Sequence, residues 1–431
     1  MSRRTESITL NSRPSCIGDV TLPGSKSIAN RALLLAAISP RPVILHNLLR
    51  SDDTARMLEA LAALGVKVIE EDTTTLQVFG CGGSWESIPE RLSLGNAGTA
   101  MRPLIAVLSA TLTEHSIILD GDQRMRERPV KHLVDSLQQQ QANIHYREQP
   151  GYPPLSIGPG LQAGDFAIDG SVSSQFISAL LMALPLLKRD STLNLTGDIV
   201  SRPYIDLTLA MLAEFGISIE PLSASKFTIP GNQQLQPPQD YYVEGDASGA
   251  SYWMAAAAIT GGPITIHGVG EDSIQGDVAF AEVIKAMGAT VEFQQNAIKV
   301  MSDGPLKGID FDGNQIPDAA MTLAPLALFA KGRTIIRNVA NWRVKETDRL
   351  RALATELRKT GAKVEEGEDF LVIEPPAQWQ HAIVDTYDDH RIAMCMALAA
   401  FSPVGVTIND PQCCAKTYPQ FFTEFARLCN C

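Results

Sequence analysis

The feature that most constrains this chain is a beat of about 70 residues that recurs six times. A small or polar loop followed by an apolar helix reads GSKSIANRALLLAAI from Gly24, GNAGTAMRPLIAVL from Gly95 and GSVSSQFISALLMAL from Gly170. It returns as GDASGASYWMAAAAI from Gly245, IPDAAMTLAPLALF from Ile316 and YDDHRIAMCMALA from Tyr387, with starts 71 to 75 residues apart. A second pattern keeps the same beat: an amphipathic helix closes on a small residue and runs into a β-like segment. Its copies are MLEALAALGVKVI, LVDSLQQQQANIHY, LAMLAEFGISIE, AEVIKAMGATVE and LATELRKTGAKVEE. The turn residues Gly65, Ala142, Gly216, Gly288 and Gly361 lie 72 to 77 apart. Glycine after a helix accepts positive φ without penalty. Ala142 does not, so that copy needs a different turn geometry.

Two patterns with one period predict an α/β chain of six similar units, each with two helices and several short strands. Six units divide into two halves of three. The break between them is expected near the Gln/Pro-rich stretch 233–240, giving a domain over 24–242 and a second over 1–23 plus 243–431. The leftover N-terminal strand Ser7–Leu10 is expected to complete the second half. The competing interpretation is two unrelated α/β domains with coincidental spacing.

Charge sets a problem. The chain has 431 residues, 36 Lys+Arg and 48 Asp+Glu, a formal net charge of −12. That balance argues against nonspecific nucleic-acid binding, which needs cations against phosphates. Residues 1–16 contain Arg3, Arg4 and Glu6 without an apolar run, so no secretory signal is expected. The apolar stretches around 177–187 and 319–330 are too short to span a bilayer and contain Pro. Seven cysteines without CxxC spacing argue against a disulfide scaffold or a zinc site. A reducing cytoplasm is the simplest compartment.

The loops that open the apolar helices offer a way to bind anions locally. A helix N-terminus carries unpaired N–H groups and about half a positive charge. Cations and small polar residues collect there. They are Lys26, Ser27 and Arg31; Thr99 and Arg102 followed by Arg124, Arg126 and Arg128; and Ser173, Ser174 and Gln175 followed by Ser201, Arg202 and Tyr204. The second half has Asp318, the run Asn341 to Arg349, His390, Arg391 and Lys416. Taken singly these are weak signals. GSKS lacks the GxxxxGK[ST] spacing of a phosphate loop, and Ser173 could serve only as a helix cap. Lys345 and Arg349, four apart on one helix, would repel unless an anion or carboxylate lay between them.

The motifs LPGSKSIANRALLLAA, LGNAGTAMRPL, RMRERPV, DGSVSSQF, VSRPYIDLTL, VEGDASGASY, IPDAAMT, NWRVKETDRL, YDDHRIAMC and AKTYP resemble those of the 5-enolpyruvylshikimate-3-phosphate synthase family, in order, from about Gly18 to Phe422. The likeness is to the bacterial, glyphosate-sensitive class. It implies two domains of three βαβαββ units closing like a clamp, an inside-out α/β barrel arrangement. It also implies transfer of enolpyruvate from phosphoenolpyruvate to the 5-hydroxyl of shikimate 3-phosphate, the sixth step towards chorismate and the aromatic amino acids. No cofactor or metal is implied, and a cytoplasmic monomer is expected. The shikimate-phosphate set it implies is Lys26, Ser27, Arg31, Ser173, Ser174, Gln175, Ser201, Tyr204, Asp318, Asn341 and Lys345. The phosphoenolpyruvate set is Lys26, Asn96, Gly98, Arg128, Gln175, Arg349, Arg391 and Lys416. Arg202 stands where Lys is common.

Such substrates bring about four anionic groups. Arg takes these in bidentate fashion and Lys as a point charge, so Lys26, Arg31, Arg128, Lys345, Arg349, Arg391 and Lys416 match the need in kind. Addition–elimination requires a base for the hydroxyl, assigned to Asp318, and an acid for the methylene carbon, assigned to Glu346 with Lys26 as a second proton carrier. Crowded cations would favour an ionised Glu346, which conflicts with a simple acid role. Glyphosate is expected to compete with phosphoenolpyruvate. Two rivals stay open: the sister transferase acting on UDP-N-acetylglucosamine, and an inactive anion-binding scaffold of the same fold. The first typically carries a reactive Cys in its second unit, where residues 101–128 hold none.

Overall fold

In the computed structural model, which describes residues 6–429, the chain separates into two compact units, Gly24–Val243 and Met1–Pro23 with Glu244–Cys431. Among the described residues twelve helices give two per repeat. In the first unit they are α1 (Lys26–Ile38), α2 (Asp52–Ala63), α3 (Gly98–Thr111), α4 (Lys131–Gln138), α5 (Ser174–Ala183) and α6 (Arg202–Glu214). In the second they are α7 (Ala247–Thr260), α8 (Phe280–Met287), the short α9 (Leu323–Leu326), α10 (Arg349–Lys359), α11 (His390–Ala397) and α12 (Phe421–Leu428).

The helices alternate in character for a physical reason. α1, α3, α5, α7 and α11 are apolar nearly all round and almost wholly buried, as a helix without a polar face must be. α2, α4, α8 and α10 have one apolar stripe and one polar face. Within the first unit α3 packs on α1 and α5. Within the second, α9 packs on α7 and α11.

Six sheets form among the described residues, five of four strands and one of three. The second repeat serves for all. Arg91–Ser93 pairs in parallel with Ile117–Asp120, which needs a crossover, and α3 supplies it. Ile117–Asp120 then pairs antiparallel with Leu155–Gly158, and that strand with Asn143–Tyr146. This is the βαβαββ order.

At the unit boundaries the chain exchanges strands. Gly18–Thr21 leads into α1 but pairs in parallel with Ile264–His267 of the second unit. Asp240–Tyr242 leads into α7 but pairs in parallel with Val43–His46 of the first. Ser7–Leu10 pairs antiparallel with Val406–Asn409 and edges the three-stranded sheet.

Two local expectations change. The left-handed turn residue of the second repeat is Gln141, φ 65°, and not Ala142; it stands two residues before its strand, as Gly65 (φ 88°), Gly288 (φ 111°) and Gly361 (φ 95°) do. Lys345 and Arg349 do not share a helix. Asp348 caps α10 by accepting from the Arg351 N–H at 3.1 Å, so the helix begins at Arg349. Lys345 follows the 3-10 turn Ala340–Val344, which Trp342 ties down by donating Nε1 to the Pro317 carbonyl at 2.7 Å.

Candidate active site

In the first unit the candidate residues stand at the starts of α1, α3, α5 and α6. Lys26 opens α1, and its Nζ lies 3.5 Å from Asp53 Oδ2. Thr99 of α3 donates to the same carboxylate at 3.4 Å and accepts from Asn30 at 2.6 Å, so three helix starts share one polar link. Arg31, one turn into α1, donates to Thr208 Oγ1 (2.9 Å), Ser178 Oγ (3.1 Å) and the Ser27 carbonyl (2.9 Å). It thereby joins α1 to α5 and α6. Burial pulls Arg31 down to about 10, which still leaves it charged near neutrality. Ser173 caps α5 through the Gln175 N–H at 3.2 Å, Ser174 is buried beside it, and Ser201 precedes α6 in a left-handed conformation with φ 56°. The Tyr204 carbonyl accepts from Thr208 at 2.7 Å.

Arg128 turns back onto the loop before α3, donating to Asn96 Oδ1 (2.9 Å) and the Asn96 carbonyl (3.2 Å). Gly98 is enclosed by arginines: a Cβ there would stand 2.5 Å from Arg102 Nη1 and 2.9 Å from Arg128 Nη2. The absent side chain is what lets two guanidinium groups approach the helix start.

In the second unit the candidates form one ionic network. Arg349 bonds three carboxylates: Asp389 Oδ2 at 2.8 Å, Glu346 Oε2 at 2.8 Å and Asp318 Oδ1 at 3.0 Å. Arg391 takes the other oxygen of Asp318 at 3.1 Å and reaches the Tyr252 hydroxyl at 3.3 Å. Burial alone would raise the Asp318 carboxyl, but Arg391, Lys345 and Arg349 outweigh it and hold it well below the usual carboxylate range. For Arg349, burial works against the charge, while Asp389, Glu346 and Asp318 more than restore it. Asn341 is buried in the 3-10 turn, and Lys416 ends the turn Pro411–Lys416 packed against α11. The Asp318 side chain is 19% exposed and that of Asp389 is 0% exposed. Asp318 can therefore touch a ligand, whereas Asp389 can only orient its neighbours.

The helix starts are not equivalent anion sites. No side chain caps α1 or α3, although at α3 the Gly98 and Ala100 N–H groups already bond the Asn96 and Ala97 carbonyls at 3.1 Å. α7 and α11 are already capped by Asp246 and Asp389, whose carboxylates occupy the positive ends. Sequence reasoning missed Asp53 and Asp389. An acid at the first turn of α2 and another directly before α11 are the sequence traces they leave, and neither points to a site, because both positions favour acids for helix stability alone.

The sequence profile of the family described as EPSP synthase (3-phosphoshikimate 1-carboxyvinyltransferase) matches residues 12–425. The chain belongs to this family. A 3-phosphoshikimate 1-carboxyvinyltransferase of Idiomarina loihiensis is 65% identical over 98% of this chain and 99% of its own. One from Klebsiella pneumoniae is 53% identical over the same shares. The solved structure of an EPSP synthase from Acinetobacter baumannii, 26% identical, superposes with a TM-score of 0.81 over 98% of both chains. The family's two-domain fold of βαβαββ units is thus the fold of this chain, as the spacing and the motifs implied.

Proposed function

We propose that this protein transfers the enolpyruvyl group of phosphoenolpyruvate to the 5-hydroxyl of shikimate 3-phosphate, releasing phosphate. The observation that carries the reading is 65% identity, over nearly the whole chain, to a relative named for that activity. The residue sets named above serve the two substrates. The starts of α1 and α3, which no side chain caps, together with Lys26, Arg102 and Arg128, supply positive charge for phosphate or carboxylate.

The chemistry balances without a redox step. A proton adds to the methylene carbon of phosphoenolpyruvate and the hydroxyl oxygen bonds to the neighbouring carbon, giving a tetrahedral ketal phosphate. Phosphate then leaves with its bridging oxygen as the new methyl group returns a proton. Asp318 accepts the proton of the attacking hydroxyl. Each of its oxygens already accepts from an arginine, but a carboxylate oxygen has a second lone pair to offer. In the resting network Asp318 is a weak base. A substrate carboxylate drawn to Arg349 and Arg391 weakens those pairs and adds negative charge nearby, and both effects raise the basicity of Asp318. The same competition frees Glu346 from Arg349 for its role towards carbon, with Lys26 as the second proton carrier.

Phosphate release measured with both substrates tests the reading. Turnover with shikimate 3-phosphate and none with UDP-N-acetylglucosamine is expected; the reverse, or no release, rejects it. The reading extends to a cytoplasmic monomer, free of nucleic acid and membrane, in which glyphosate competes with phosphoenolpyruvate. Among the described residues no helix is long and apolar enough to cross a membrane.

A further inference from the structure

One buried carboxylate has no part in the scheme above. Glu356 lies two turns after Arg349 on the same face of α10 and is fully buried. Its Oε1 accepts from the Tyr387 hydroxyl at 2.6 Å and its Oε2 from the Asp385 N–H at 3.1 Å. Lys359, one turn further, places Nζ 2.7 Å from Glu356 Oε2, 3.0 Å from Asp385 Oδ2 and 2.9 Å from the Ile383 carbonyl. Asn409 donates to the other Asp385 oxygen at 2.9 Å.

These bonds hold a segment that would not keep its shape alone. Tyr387 and Asp388 are consecutive non-glycine residues in the left-handed region, φ 56° and 55°. Such conformations persist only where the surroundings over-determine them, and they collect at functional sites. The next residue is Asp389, which pairs with Arg349 and accepts from the Arg391 N–H at 2.9 Å. α10 therefore fixes the segment at two levels, with Arg349 on Asp389 and Glu356 on Asp385 and Tyr387. Burial, and then the bond to Glu356, push the Tyr387 hydroxyl well above its ordinary range, so it stays a donor.

We propose that Glu356 is a positioning residue for phosphoenolpyruvate, acting through Tyr387 and Asp388 to set Asp389 and, through it, Arg349 and Arg391. This rests on the functional reading above and adds to it a control point outside the substrate contacts. Nothing in the motif spacing points to it, because Glu356 looks like one more charge on an amphipathic helix.

Tyr387→Phe tests it with little risk to the fold, since the residue is 42% exposed and only a hydroxyl is lost. Glu356→Gln is the second variant. Steady-state kinetics on the full chain should show KM for phosphoenolpyruvate raised by about tenfold, the order expected of a sub-ångström misplacement. KM for shikimate 3-phosphate and the thermal midpoint of Tyr387→Phe should stay at wild-type values. Wild-type turnover combined with an unchanged KM for phosphoenolpyruvate in Tyr387→Phe, or with equal rises in both KM values, overturns the positioning role alone. No phosphate release from the wild type overturns the functional reading and this proposal with it.

Discussion

At the scale of single residues, the decisive facts are how close guanidinium groups come to Gly98 and how fully Asp318 is paired. Gly98 sits in a helical conformation that alanine accepts, so only space matters there. A methyl group would force Arg102 and Arg128 back from the start of α3. Gly98→Ala should therefore raise KM for phosphoenolpyruvate and weaken glyphosate inhibition by about tenfold or more, through displaced arginines. Unchanged inhibition in a rate assay removes Gly98 from that site. Asp318→Asn should keep shikimate-phosphate binding by calorimetry while turnover falls by at least ~100-fold, the scale of a positioned base. Its effect on stability has a definite sign. The folded carboxyl titrates below the ~3.9 of a free aspartate, so its pairs stabilise the fold above about pH 4 and that contribution is lost as pH falls. Acid unfolding followed by circular dichroism should thus be shallower in Asp318→Asn than in the wild type between about pH 5 and 3. The cations of this network could be read from the sequence, because Arg and Lys recur at helix starts. Their partners Asp53 and Asp389 could not, because only folding brings a carboxylate from another loop within reach of the same guanidinium or ammonium group.

At the scale of elements, the repeat is legible because two constraints act at one spacing: an apolar helix must be buried, and the helix-to-strand turn needs a left-handed residue. Where they act separately, the pattern blurs. In the second repeat the eye aligns Ala142 with the glycines, but the backbone places Gln141 in the left-handed turn. A non-glycine residue there costs about 1–2 kcal/mol. Gln141→Gly relieves that and loses roughly 0.4–1 kcal/mol to the greater freedom of the unfolded chain, so it should be neutral to slightly stabilising. Gly361→Ala should behave in the opposite way. Its φ is 95°, and a Cβ would stand 2.4 Å from the Gln378 carbonyl oxygen. A loss of roughly 2 kcal/mol or more is expected, read from urea unfolding midpoints. The start of α10 was illegible for a related reason. Asp348 as a cap and Trp342 as an anchor decide it, and neither leaves a periodic trace.

At the scale of the whole molecule, the net charge of −12 takes on a more specific meaning. The sequence invites a count of cations against substrate anions, and that count leaves out the protein's own carboxylates. In the second unit, Arg349, Arg391 and Lys345 are matched by Asp318, Glu346 and Asp389, so this cluster is close to neutral and no strong trap for an anion on its own. In the first unit, Arg31 of the shikimate-phosphate set bonds hydroxyl and carbonyl groups, and the uncapped start of α1 adds to its field. The asymmetry argues for an order of events. On the functional reading proposed above, shikimate 3-phosphate meets the less compensated charge, at Arg31, first. On the same reading, phosphoenolpyruvate displaces carboxylates from Arg349 and Arg391, and groups that the first substrate has already ordered lower its own ordering cost. Phosphoenolpyruvate should accordingly bind about tenfold or more weaker alone than with shikimate 3-phosphate present, within the usual range of coupling between sites. Isothermal calorimetry decides it, and equal affinities in the two titrations reject the order.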